Sequence, residues 1–72
     1  MIFVYALLSE VKDWIYVGMT DNLDRRVLQH NKGYNKSTAP YRPFTLLFKE
    51  EYPNRIEARK REKYLKSAAG KR

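Results

Sequence analysis

Apolar residues run without a break through "IFVYALL" at Ile2–Leu8, then return in a second block, "DWIYVGM", after the polar "SEVK" at Ser9–Lys12. A continuous run of that length, rich in aromatic and branched residues, predicts a strand buried on both faces. The four polar residues between the blocks predict a hairpin loop. If Leu8 pairs with Asp13, Tyr5 falls opposite Tyr16 on one face of the sheet, whereas a slip of one residue would part them. From residue 20 the period lengthens. Thr20, Asp21 and Asn22 offer N-caps and Gly33 a stop, which predicts a helix near 22–31. "YNKSTAPYRP" at Tyr34–Pro43 is polar, is broken by Pro40 and Pro43, and reads as a loop. "FTLLFKEEY" at Phe44–Tyr52 predicts a third strand. Pro53 ends that strand. Asn54, with Glu57 three residues on, has the pattern of a capping box and opens a second helix running to about Ala69, with Gly70 as its stop.

The predicted order is β-β-α-β-α, in one domain over residues 1–72. Three strands cannot bury an apolar face unaided, so the helices must lie on them, giving an α+β fold with a three-stranded antiparallel sheet in a compact layer pair.

Two helical faces carry polar groups where apolar ones are expected. At about 100° per residue, Leu23 and Val27 share a face with Arg26 and His30, while Leu28 points elsewhere. On the second helix Ala58, Leu65 and Ala69 form a narrow stripe with Glu62 upon it. A buried, unpaired carboxylate costs several kcal/mol or takes up a proton. Glu62 therefore needs a cation, and two kinds are open to it: a basic side chain such as Arg26, or a metal.

Charge sharpens this picture. The net +7 is concentrated at one end: residues 1–53 carry seven Lys/Arg against six Asp/Glu, and residues 54–72 carry eight against two. Such a basic stripe is the footprint of a polyanion, nucleic acid before membrane, although a solvated lysine-rich helix face has the same pattern. Arg59, Lys60, Lys63 and Lys66 are the candidate contacts. The chain contains no cysteine, which excludes disulfides and cysteine-based metal clusters and fits a reducing compartment. The longest apolar run is too short for a bilayer and lacks a basic leader, so a soluble, cytoplasmic protein is expected.

With these residues in view, the chain resembles the GIY-YIG nuclease superfamily over almost its whole length. "VYA" at Val4–Ala6 and "YVG" at Tyr16–Gly18 look like its two half-motifs, "TDNLDRRVLQH" like the helix that follows, and "EARKRE" at Glu57–Glu62 like the segment ending in its metal-binding glutamate. The closest likeness is to small stand-alone members. The resemblance implies a catalytic set of Tyr5, Tyr16, Arg26, His30 and Glu62. Glu62 would hold one Mg²⁺ or Mn²⁺ together with substrate phosphate. Tyr16 would act with the metal site on the attacking water, and Arg26 would neutralise charge on the phosphoryl oxygens. Tyr5 and His30 would position water or phosphate, and Gly18 would let the backbone turn from strand to helix and permit close approach there. The implied activity is structure-recognising endonucleolytic hydrolysis of DNA, or of RNA, in repair or recombination, by a monomer or weak dimer that joins a larger repair complex. The alternative is a nucleic-acid-binding module that keeps the fold without turnover. Two departures from the family pattern stand out. Met19 follows Gly18 where repair members carry lysine, and the chain ends ten residues after Glu62, ahead of a final helical segment that often carries a polar residue.

Overall fold

The computed structural model describes residues 1–69, with side chains described through Ser67; the predicted stop at Gly70 and the place of Ala69 on the apolar stripe lie outside this range. Strands β1 (Ile2–Ser9), β2 (Ile15–Thr20) and β3 (Phe44–Tyr52) alternate with helices α1 (Leu23–Lys32) and α2 (Arg55–Ala69) in the order β1-β2-α1-β3-α2. The sheet is antiparallel, with strands in the order β2-β1-β3. β1 is central, which is why its sequence is apolar without alternation. Its even positions, Ile2, Val4 and Ala6, join Val17 and Ala58 in one core cluster, against which Ile15, Met19, Tyr52 and Leu65 pack. Its odd positions Tyr5 and Leu7 join Leu23 and Phe44 in a second cluster, flanked by Phe3, Trp14, Tyr16, Val27 and Tyr41. The helices thus serve opposite faces of the sheet, α2 one and α1 the other, so the layer pair expected from sequence is a three-layer arrangement.

The hairpin register differs from the expected one. Leu8 faces Ile15, Leu7 faces Tyr16, and Tyr5 faces Gly18. The cause is local. Ser9 stays in the strand and bonds to Trp14 O through its N–H at 3.0 Å, while its hydroxyl accepts from the N–H groups of Val11 and Lys12 at 3.2 and 3.1 Å. The loop thereby takes in Asp13 and Trp14, whose indole stacks on Tyr41 with centroids 4.0 Å apart. The displacement is two residues, and side chains alternate with period two. Tyr5 and Tyr16 therefore keep a common face as diagonal neighbours, with ring centroids 6.2 Å apart. Between β1 and β3 the register shifts once, so that Ala6 faces Phe48 and Leu7 faces Leu46, leaving Leu47 as a bulge.

Helix limits follow their caps. The Asn22 side chain accepts from Arg25 N–H at 3.1 Å at the start of α1. At its end Gly33 adopts φ 79°, a left-handed conformation that costs glycine nothing. Gly33 N–H bonds to His30 O and Tyr34 N–H to Gln29 O, a Schellman closure. Asn54 caps α2 through Glu57 N–H at 3.0 Å. The reciprocal half of the expected capping box is replaced by a contact between Glu57 and Lys60 at 3.7 Å. The loop after α1 contains a 3₁₀ turn, Ala39–Tyr41, that the sequence reading missed. Among the described residues, no helix is long and apolar enough to cross a membrane.

Candidate active site

β1 delivers Tyr5, β2 delivers Tyr16 and Gly18, and α1 delivers Arg26 and His30, all on the face of the sheet that α1 covers. Tyr5 is fully buried and His30 is 1% exposed. The phenol oxygen lies 3.1 Å from His30 Nε2, and His30 Nδ1 lies 2.9 Å from Thr38 Oγ1. Thr38 in turn donates to Asn35 O at 3.3 Å. The network assigns the proton positions. With the threonine hydrogen directed to Asn35, its oxygen accepts from Nδ1–H, which leaves Nε2 as the acceptor of the Tyr5 proton. His30 is thus neutral and saturated. Burial, then the nearby Arg26 charge, hold its pKa below 6.5, which agrees with that tautomer.

The Tyr5 phenol is pushed up to about 12, first by burial and next by the neighbouring Tyr16 phenol. The Arg26 guanidinium, acting on the phenol oxygen, opposes both, and the Glu62 charge adds to the rise. A group held so firmly in its protonated form is no base at neutral pH. Glu62 reaches this phenol only as a charge, from α2, the helix that packs on the other face of the sheet.

Tyr16 and Arg26 are half-buried and reach the surface. The Tyr16 ring lies 4.8 Å from the His30 ring, centroid to centroid. Arg26 Nη1 donates to Gln29 Oε1 at 3.3 Å, one turn along its own helix. The Glu62 side chain is 15% exposed and pairs with Lys66 at 3.5 Å. The contact with Arg26 that the sequence left open is therefore absent among the described ion pairs, and the cation partner comes from α2 itself. Pairing at one turn's spacing needs no tertiary closure.

Of the two uses expected of Gly18, a strand-to-helix turn and a close approach, the turn is corrected. Gly18 lies inside β2, and among the described residues only Gly33 has a positive φ. What requires glycine is space. A Cβ at Gly18 would stand 2.8 Å from Tyr5 Oη and 2.8 Å from Tyr16 Cε2. Gly18 lets the two rings meet over the strand.

Of the predicted basic contacts, Arg59, Lys60, Lys63 and Lys66 are all exposed on α2. Lys60 and Lys66 are each engaged by a glutamate of the same helix. Arg61 faces β3 instead, with Nε and Nη2 on the two oxygens of Glu50 at 2.9 and 3.1 Å. Tyr52 donates to the same carboxylate at 2.8 Å. Sequence reasoning missed Thr38 and Gln29 as supports of His30 and Arg26. The spacing from Arg26 to Gln29 was the available signal for one; nothing local marked Thr38.

A divalent ion fits this site in a limited way. Among the described residues there is no group of three or more His, Cys, Asp or Glu side chains able to enclose one. Glu62 supplies a single hard oxygen donor, which suits a cation that takes its other ligands from water and substrate phosphate.

Two tyrosines, an arginine and a histidine are gathered on the face of the three-stranded sheet that α1 covers, with Glu62 on α2. The family model described as the GIY-YIG catalytic domain matches residues 1–72, and the chain belongs to that family. It is 37% identical over 67 residues to UPF0213 protein CPE1444 of Clostridium perfringens, covering 92% of this chain and 71% of that protein. It is 35% identical over 71 residues to UPF0213 protein YazA of Bacillus subtilis, covering 97% and 71%. A UPF0213 protein of Nitratidesulfovibrio vulgaris is 38% identical over 65 residues, covering 89% of this chain and 58% of that protein. No solved structure matches the chain significantly. Membership carries the coarse function, nuclease-type chemistry on DNA.

Proposed function

We propose that this domain is a divalent-metal-dependent endonuclease that hydrolyses DNA phosphodiester bonds at structural irregularities, as in repair or recombination. The observation that supports the reading most is the convergence of Tyr16 and Arg26, both with access to solvent, beside the locked Tyr5–His30 pair. Residues with access to solvent are the ones that suit chemistry, and residues without it suit positioning. Glu62 would hold Mg²⁺ or Mn²⁺ together with substrate phosphate, and the chemistry such an ion would supply there is Lewis-acid stabilisation of charge on the phosphoryl and leaving oxygens. Arg26 places fixed N–H donors on the phosphoryl oxygens as negative charge builds. Tyr16 orients the attacking water with its hydroxyl. Tyr5 and His30 are positioning residues that keep Tyr16 and Arg26 in place. Arg59, Lys60, Lys63 and Lys66 attract the polyanion without reading its sequence.

The second reading, a binding module without turnover, draws support from one observation: Lys66 already pairs with the Glu62 carboxylate that would hold the metal. The experiment that separates them uses plasmid, linear, branched and single-stranded substrates with Mg²⁺, Mn²⁺ or EDTA, comparing wild type with Glu62→Ala. Metal-dependent cleavage that falls about a hundredfold or more in the variant, at unchanged affinity, fits an enzyme. Equal binding and no cleavage by either protein fits the module.

A further inference from the structure

The segment that follows α1 closes a cleft of about 410 Å³ lined by Arg26, Gln29, His30, Tyr34, Asn35 and Lys36. The size suits a nucleotide, since ligand pockets start at roughly 300 Å³. Its chemistry is one-sided. Gln29 Oε1 accepts from Arg26 Nη1 at 3.3 Å, and Asn35 Oδ1 accepts from Ser37 N–H at 3.0 Å and Ser37 Oγ at 2.7 Å. Both partners include unambiguous donors, so the amide orientations are fixed and each residue keeps its NH₂ group for something else. Both ring nitrogens of His30 are engaged. Arg26 and Lys36 add two cations, and no carboxylate lines the cleft. A wall with two cations, two amide NH₂ groups and no carboxylate fits a ligand that is anionic and rich in acceptors.

The remaining lining residue is aromatic. The Gly33 cap turns the chain so that Tyr34 leaves the helix with its side chain 70% exposed. Among the described residues, its ring is in no aromatic pair and its hydroxyl in no hydrogen bond. An exposed ring beside a phosphate-seeking wall is a surface on which a nucleobase stacks.

We propose that this cleft is a second nucleic-acid subsite, which takes the phosphate and the unpaired base of a nucleotide adjoining the scissile bond; the word adjoining rests on the nuclease reading, through Arg26, which borders both places. Lys36, Gln29 and Asn35 hold the phosphate, and Tyr34 stacks the base. A base reaches Tyr34 only when it is free of a duplex stack, so the subsite favours strands with at least one unpaired nucleotide.

The test is binding in EDTA, where turnover plays no part. The ¹⁵N-labelled protein is titrated with a 5′-phosphorylated thymidine dinucleotide, with an abasic analogue of the same backbone, and with inorganic phosphate. The side-chain NH₂ signals of Gln29 and Asn35 should move with both backbones, and the Tyr34 ring signals only with the base-bearing one. Lys36→Ala should weaken both backbones several-fold and lower the salt slope by about one. Tyr34→Ala should weaken the base-bearing probe about fivefold or more and leave the abasic one unchanged. Both residues are exposed, so neither change threatens folding. Shifts confined to α2 around Arg59 and Lys63, equal losses for both probes in Tyr34→Ala, or inorganic phosphate binding as tightly as the dinucleotide would each overturn the subsite. Shifts in the cleft together with an inert Glu62 would leave the subsite standing and overturn the nuclease reading alone.

Discussion

The Tyr5 hydroxyl donates to His30 Nε2 at 3.1 Å in the interior of the protein, and His30 donates its single N–H, at Nδ1, to Thr38 Oγ1. This relay joins the central strand, the first helix and the loop after it, and among the described residues no buried side-chain polar atom lacks a partner. The same bonds keep the phenol hydrogen of Tyr5 and both ring nitrogens of His30 engaged within the protein.

Breaking the relay at one end should be costly. Tyr5→Phe keeps the ring but leaves His30 Nε2 buried and unpaired, a loss of about 1–3 kcal/mol. Urea denaturation measures it. An unchanged midpoint would mean that water or a repacked neighbour satisfies the imidazole.

Stability should form a plateau in pH with two separate shoulders. The folded His30 pKa lies below 6.5, so the unfolded chain takes up this proton first, and stability declines as pH falls through 6.5. The folded Tyr5 pKa is raised from 10.0 to about 12. The unfolded chain therefore loses that proton first, and stability declines as pH rises from 10 to 12, by roughly 3 kcal/mol. Glu50, held below 4.5 by its bonds from Arg61 and Tyr52, acts only in a more acidic window. Urea midpoints near about pH 5, 8 and 11 should show the maximum in the middle, and Tyr5→Phe should shrink the alkaline decline.

Gly18→Ala should disturb the site from within a strand. The added methyl would meet both tyrosine rings at 2.8 Å, and forcing a methylene into a filled space costs about 1–3 kcal/mol. The near-ultraviolet circular dichroism of the tyrosines should change as well. A variant with native stability and an unaltered tyrosine signal would show that the rings yield without cost.

The two-pronged Glu50–Arg61 contact fastens α2 to β3 one residue before Glu62. Both side chains are about one-third exposed, so a double-mutant cycle should return a coupling of only about 0.5–1 kcal/mol. A value several times larger would mark a pair shielded from water in solution.

Nucleic-acid affinity should depend on the free face of α2. Changing Arg59, Lys60 and Lys63 together to Ala should weaken binding and reduce the slope of log affinity against log salt by about 2–3. An unaltered slope would remove α2 from the interface.

Much of the architecture is written locally. Continuous apolarity over Ile2–Leu8 meant burial on two faces, Asn22, Gly33 and Asn54 marked helix limits, and Arg26, His30 and Glu62 stood out as polar residues on apolar faces. These signals need only neighbours three or four positions apart, since capping, periodicity and chain reversal are short-range properties. Contacts across elements were not legible in this way. The hairpin register depended on the Ser9 hydroxyl gathering two N–H groups and on Trp14 finding Tyr41, a partner twenty-seven residues away. The cation beside Glu62 proved to be Lys66 rather than Arg26, because a neighbour one turn along the same helix pairs without any tertiary closure. Only the folded chain could close Tyr5, His30 and Thr38 into one relay and open the cleft beside it, since both depend on where a polar loop of low periodicity comes to rest against a helix.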